Sequence, residues 1–150
     1  MKNQNPFKEA MRYIDNARED LQLAGKEEKF YLDEKYVQSA CGFAYSGALK
    51  ALDYFFEIKK VPKRKGRKSI EYYKTELSKI DKKLLNHLIT AYNILHLDGY
   101  YDGIKKVDII NSGFDDVVSI INALKPYSKN GEWKWILFPC CYEFTLRCLG

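Results

Sequence analysis

The sequence predicts an all-α protein, an up-and-down helical bundle of about five helices with an irregular C-terminal extension. The central stretch Asp33–Glu57, DEKYVQSACGFAYSGALKALDYFFE, is the first reason. Its polar residues Ser39, Ser46, Lys50, Asp53 and Glu57 fall on one narrow stripe at about 100° per residue. Nearly everything else between Tyr36 and Phe56 is apolar or small, so this helix must be covered on several sides. Gly42, Ala44, Gly47, Ala48 and Ala51 let neighbours approach closely, and a glycine in a helix interior costs roughly 1 kcal/mol, which implies a packing reason. The second reason is that the flanking segments carry apolar residues at spacings of three and four, the mark of one-sided helices. The third is that prolines, glycines and capping residues stand at the joints between them.

Pro6 opens the first helix, because its missing N–H is no loss in a first turn. Phe7, Ala10, Met11, Ile14, Ala17, Leu21 and Ala24 form its inner face, and it ends near Gly25 with the charged connector KEEK. Phe30-Tyr31-Leu32 is an apolar lead-in to Asp33, the expected N-cap of the central helix. Val61-Pro62 closes that helix. Ser69 caps a third helix, SIEYYKTELSKI, with Ile70, Tyr73 and Leu77 inward. Asp81 caps a fourth, with Leu84, Leu85, Leu88, Ile89, Tyr92 and Leu95 as its stripe. Gly99 to Gly103, GYYDG, reads as a turn. A fifth helix lies within Ile104–Lys125, with Val107, Ile110, Phe114, Val117, Val118, Ile121 and Leu124 inward, a bend at Gly113 and a stop at Pro126. Residues 1–126 therefore form the bundle. In residues 127–150, Trp133, Trp135 and Leu137 alternate with Lys134, Ile136 and Phe138 as in a strand, and a short helix is expected over Cys141–Leu149. This extension is expected to pack on the bundle or on a second subunit.

At 150 residues the chain is one domain with a real core. No apolar run approaches the roughly 18 residues of a membrane span, and the polar Met1–Asn5 with the charged first helix leads us to expect no secretory signal. Four cysteines in such a chain read as reduced thiols in a cytoplasm. The net charge of +5 is local: Lys59–Lys68, KKVPKRKGRK, holds seven basic residues and no acidic one, and the rest of the chain has 18 basic against 20 acidic residues.

Seven cations in ten residues suit salt-sensitive, sequence-independent binding of nucleic acid or nucleotide. The candidates are Lys63, Arg64, Lys65, Arg67 and Lys68, with Ser69 at a helix start that favours anions. The plainer reading is a solvated loop that aids solubility. Tyr72, Tyr73, Tyr100 and Tyr101 are candidates for an aromatic pocket that stacks a base or other flat ligand. More often, such tyrosines fill core edges with their hydroxyls at the surface. His87 and His96, nine residues apart, fall on opposite faces of one helix and do not converge on a metal or a proton transfer. Cys140, Cys141 and Cys148 contain no C-x-x-C pair, so no zinc site is expected, and no cofactor motif of the P-loop, dinucleotide or G-x-S-x-G type is present. Asp115 and Asp116, being adjacent, read as solvent-facing.

The segments KYVQSACGFAYSGALKALDYFF, GRKSIEYYKTELSKIDKKLLNHL and AYNILHLDGYYDG together resemble the HEPN superfamily of small helical domains, and within it a bacterial family of unknown function. The resemblance covers residues 5–126. It implies an up-and-down bundle that commonly forms a homodimer. Some HEPN domains are ribonucleases of toxin–antitoxin systems; others only bind, often beside a nucleotidyltransferase partner. The ribonuclease branch carries an Arg, four to six residues, then a His. No arginine stands at that distance before either histidine here, and the nearest cations are Lys82 and Lys83 before His87. The leading expectation is thus a non-catalytic binding module using the basic loop. A degenerate ribonuclease built on His87 with Lys82 or Lys83, and a purely structural homodimer, are the alternatives.

Overall fold

In the computed structural model of the protein, which describes residues 5–127, helix α2 (Glu34–Ile58) is the rod that the other helices cover. Ala40, Cys41, Ala44, Ala48, Ala51 and Leu52 are fully buried. Between Tyr36 and Ile58 only Phe43, Ser46 and Glu57 are exposed. Asp33 caps it as expected, accepting a hydrogen bond from the Lys35 N–H. The expectations for residues 128–150, including the strand-like tryptophan run, the cysteines and the docking of the extension, lie outside the described residues.

Helix α1 (Pro6–Ala24) lies along α2 with Ala10, Ile14 and Ala17 buried. Their closeness depends on Gly47: a Cβ there would stand 2.9 Å from Tyr13 Cβ. Ser39 Oγ donates to Asp20 Oδ2 at 2.6 Å and ties the same pair together. The connector after Gly25 is more ordered than its charge suggests. Strands β1 (Lys26–Glu27) and β2 (Phe30–Tyr31) form a two-stranded antiparallel hairpin, pairing Lys26 with Tyr31 and Glu27 with Phe30. Its outer edge is used as well. The Tyr31 N–H donates to the Lys105 carbonyl at 2.8 Å and the Val107 N–H to the Lys29 carbonyl at 2.9 Å, so the hairpin clamps the start of the helix Val107–Asn122.

Helices α3 (Ile70–Ile80) and α4 (Lys82–Ala91) meet at one residue, Asp81, which ends the first and caps the second. Ser69 caps α3 by accepting from the Tyr72 N–H. Past Ala91 the chain departs from expectation. It does not run on as α-helix to Leu95 and then turn at Gly99–Gly103. It winds as a ten-residue π-helix, Tyr92–Tyr101, and turns only at Asp102–Gly103. The wider winding keeps both Leu95 and Gly99 on the core side. A Cβ on Gly99 would collide with Cys41, so the glycine is there for contact with α2 and not for a turn.

Helix α5 (Val107–Asn122) buries Ile110, Phe114, Val117 and Ile121 as expected, and Lys125–Tyr127 is a 3₁₀ turn after it. It runs through Gly113 without interruption. A Cβ on Gly113 would come within 2.8 Å of Ile94 and Leu95, so this glycine admits the π-helix instead of making a bend. Among the described residues no helix is long and apolar enough to cross a membrane, and no buried side-chain nitrogen or oxygen lacks a hydrogen-bond partner.

Candidate functional site

One face of α2 carries two depressions. Ser39, Gly42, Ser46 and Leu49 line the first, and Asp53, Phe56 and Glu57 line the second. These positions recur every three or four residues, so they lie along one side of the rod. Ser46 and Asp53 stand about 10 Å apart along its axis at 1.5 Å per residue.

The second depression, of about 380 Å³, takes its other wall from the chain after α2: Val61, Pro62, Lys63, Arg64, Lys68 and Tyr72. Lys68 Nζ pairs with Asp53 Oδ1 at 2.9 Å. The same carboxylate oxygen accepts the Tyr73 hydroxyl at 2.9 Å. Burial, reinforced by that hydrogen bond to a carboxylate, pushes the Tyr73 phenol well above its ordinary range. The Arg64 guanidinium stands 5.4 Å from the Tyr72 ring centroid, and Tyr72 meets Phe56 edge-on at 6.0 Å. Two of the five predicted loop cations, Arg64 and Lys68, are therefore anchored by their own protein. Lys63 also lines the depression, while Lys65 and Arg67 do not. Lys63, Lys65 and Arg67 have no ion-pair partner among the described residues. Ser69 spends its hydroxyl on capping α3.

The first depression, of about 560 Å³, lies between α2 and the π-helix. The π-helix sets Tyr92, His96 and Tyr100 in a ladder: His96 stacks at 5.2 Å from Tyr92 and 6.1 Å from Tyr100. Tyr45 of α2 stands 4.8 Å from the imidazole, and Tyr101 meets it edge-on at 5.1 Å. Burial lowers the His96 pKa, which favours the neutral ring.

The four tyrosines expected in one pocket are thus divided. Tyr72 belongs to the basic depression, Tyr73 is buried beneath it, and Tyr100 and Tyr101 line the other. The physical reason is that α3 and the π-helix contribute them to different stretches of α2. Sequence reasoning missed Phe43, Tyr45 and His96 as groove residues, and Asp53 as the acceptor for two partners. The i, i+7 spacing of Ser39, Ser46 and Asp53 was the available signal.

A third depression, of about 530 Å³, lies between α4 and α5 and is lined by Asp81, Lys83, His87 and Ser119 among others. His87 Nδ1 is 2.7 Å from Asp116 Oδ1. Asp116 is not the solvent-facing carboxylate that its adjacency to Asp115 suggested; its side chain is 18% exposed because it turns toward α4. Lys82 is not among the lining residues. Cys41 is buried among the helices, and burial pushes its thiol up to about 12, away from any nucleophilic role.

A family model described as domain of unknown function (DUF5618) matches residues 5–126. No curated protein matches. Among solved structures, a protein of unknown function from Dyadobacter fermentans is 40% identical, with 84% of this chain and 98% of that chain covered and a TM-score of 0.75.

Proposed function

We propose, from the premise that this chain belongs to the DUF5618 family, that it is a non-catalytic, HEPN-like binding module whose basic depression takes the phosphate of a nucleotide or of RNA. The observation that supports this reading is one wall: Lys63, Arg64 and Lys68 border the same cavity as Phe56 and Tyr72. Cations and an aromatic edge together suit a ligand that carries both phosphate and a flat ring. Arg64 is steadied by the Tyr72 ring and Lys68 by Asp53, so less side-chain freedom is lost on binding. Lys63, Lys65 and Arg67 then supply the charge that no carboxylate of the described residues already neutralises. Asp53 and Glu57, on the α2 side, repel phosphate and accept from amino or hydroxyl groups, which sets which end of the ligand enters.

The test is binding of a fluorescent single-stranded RNA and of a nucleotide across a salt series. Replacing Lys63, Arg64, Lys65, Arg67 and Lys68 by Ala is expected to abolish measurable affinity. Replacing Lys63, Lys65 and Arg67 alone is expected to flatten the log K against log salt slope by about 2. Unchanged affinity in the fivefold variant would overturn the reading.

The His87–Asp116 pair favours one alternative, a degenerate ribonuclease. The carboxylate orients the imidazole as an acid–base group, and Lys83 on the same depression offers a point charge for phosphate in place of the forked arginine. RNA cleavage lost in His87→Ala would support it, and cleavage surviving that change would exclude His87. A homodimer and a nucleotidyltransferase partner are proposed from the family resemblance alone. A monomeric mass at micromolar concentration rejects the first, and a failure to co-purify rejects the second.

A further inference from the structure

The groove between α2 and the π-helix has no part in the reading above. We propose that it is a separate binding site for a neutral, planar, nitrogen-containing fused-ring compound. None of the nine described residues that line it is charged, although 30% of the chain is. A phosphate or carboxylate would find no lysine or arginine among these residues, which distinguishes this site from the basic depression. Its volume, about 560 Å³, lies within the range of small-molecule pockets.

The walls are rings that remain open to solvent. Phe43 is 39% exposed, Tyr100 45% and Tyr101 64%. Large aromatics grouped in a concavity at such exposure are unusual for a surface that only meets water. They leave faces on which a flat ligand can stack. His96 supplies the polar handle. Neither of its ring nitrogens has a hydrogen-bond partner among the described residues; its contacts are with other rings. A neutral imidazole offers one donor and one acceptor, the complement of a ring nitrogen beside an amino or oxo group.

The backbone points the same way. π-Helical winding is rare, occurs mostly as single turns, and is frequent at functional sites. Here it lasts ten residues and sets His96 and Tyr100 along one edge of the groove, with Tyr92 stacked on His96.

The experiment is titration of the intact chain with adenine and with lumichrome, two neutral fused-ring probes, followed by tyrosine fluorescence and by chemical shifts of His96. Saturable binding is expected for at least one probe. Tyr101→Ala, a change at an exposed position, is expected to weaken it by about tenfold or more. Ser46→Trp, which fills the groove from the exposed side of α2, is expected to abolish it. Alanine at Lys63, Lys65 and Arg67 is expected to leave it unchanged, so this site and the basic depression fail or succeed independently. No saturation by either probe at millimolar concentration, or equal affinity in Tyr101→Ala, would overturn the proposal. So would a stable dimer in which Tyr101 is covered by a second copy.

Discussion

The two depressions along α2 share a helix face and differ in how their opposite walls are made. The groove is closed by another helix, and its rings are placed by backbone winding. The basic pocket is bordered by the loop that follows α2, and its cations are placed by a few side-chain contacts. One wall is held by packing, which salt does not touch. The other is held by Lys68–Asp53 and Arg64–Tyr72, both partly exposed and therefore weakened by screening. The groove should accordingly respond to volume and to protonation, and the pocket to ionic strength.

The largest expected effect breaks the groove side. Gly99→Ala sets a methyl against Cys41 and is expected to cost about 1–3 kcal/mol by overpacking, read in urea or thermal unfolding. A change at Lys65, which is exposed on the loop, should leave the same melt in place. Next is Asp53→Ala, on the pocket side. It leaves the Tyr73 hydroxyl, on a buried residue, without its acceptor, a loss of about 1–3 kcal/mol, with Lys68 adding less because that pair is exposed. In a Tyr73→Phe background the same substitution should cost clearly less. Equal costs in both backgrounds would show that the hydroxyl is not what Asp53 serves.

A smaller effect follows from His96. Its folded pKa lies below the ordinary value of 6.5, so near and just below pH 6.5 the unfolded chain binds the proton more readily. Stability therefore falls as pH drops from about 6.5 through the lowered folded value, and falls no further from this source below both. His96→Phe should remove that slope, measured as the urea midpoint at several pH values. The smallest expected effect on stability is that of Lys63, Lys65 and Arg67 changed to Ala, within about 0.5 kcal/mol, although the same variant should weaken phosphate binding at the basic depression.

Much of this architecture can be read from residue order. The small residues of α2, the caps at Asp33, Ser69 and Asp81, and the inward faces of α1 and α5 are local signals, and local physics fixes them. The π-helix is not such a signal. Leu84, Leu88, Tyr92 and Leu95 fit one continuing α-helical stripe, and the changed winding accompanies the close approach of Gly99 to Cys41, 58 residues earlier in the chain. GYYDG has the composition of a turn, yet only its last two residues make one. The hairpin at Lys26–Tyr31 escapes notice for a similar reason, since two-residue strands show no alternation and draw support from Lys105 and Val107. Of the sites, the basic cluster was visible as charge. The pairing of His87 with Asp116 and the division of the tyrosines depend on which helices become neighbours, and no spacing within one segment states that.

The unbroken course of α2 from Glu34 to Ile58 carries a constraint on how this chain can vary. Adding or deleting one residue between Leu49 and Asp53 would rotate one half of the rod by about 100° against the other. Lineages that keep both depressions on one face must then keep this interval at constant length, even where the residues inside it are free to drift.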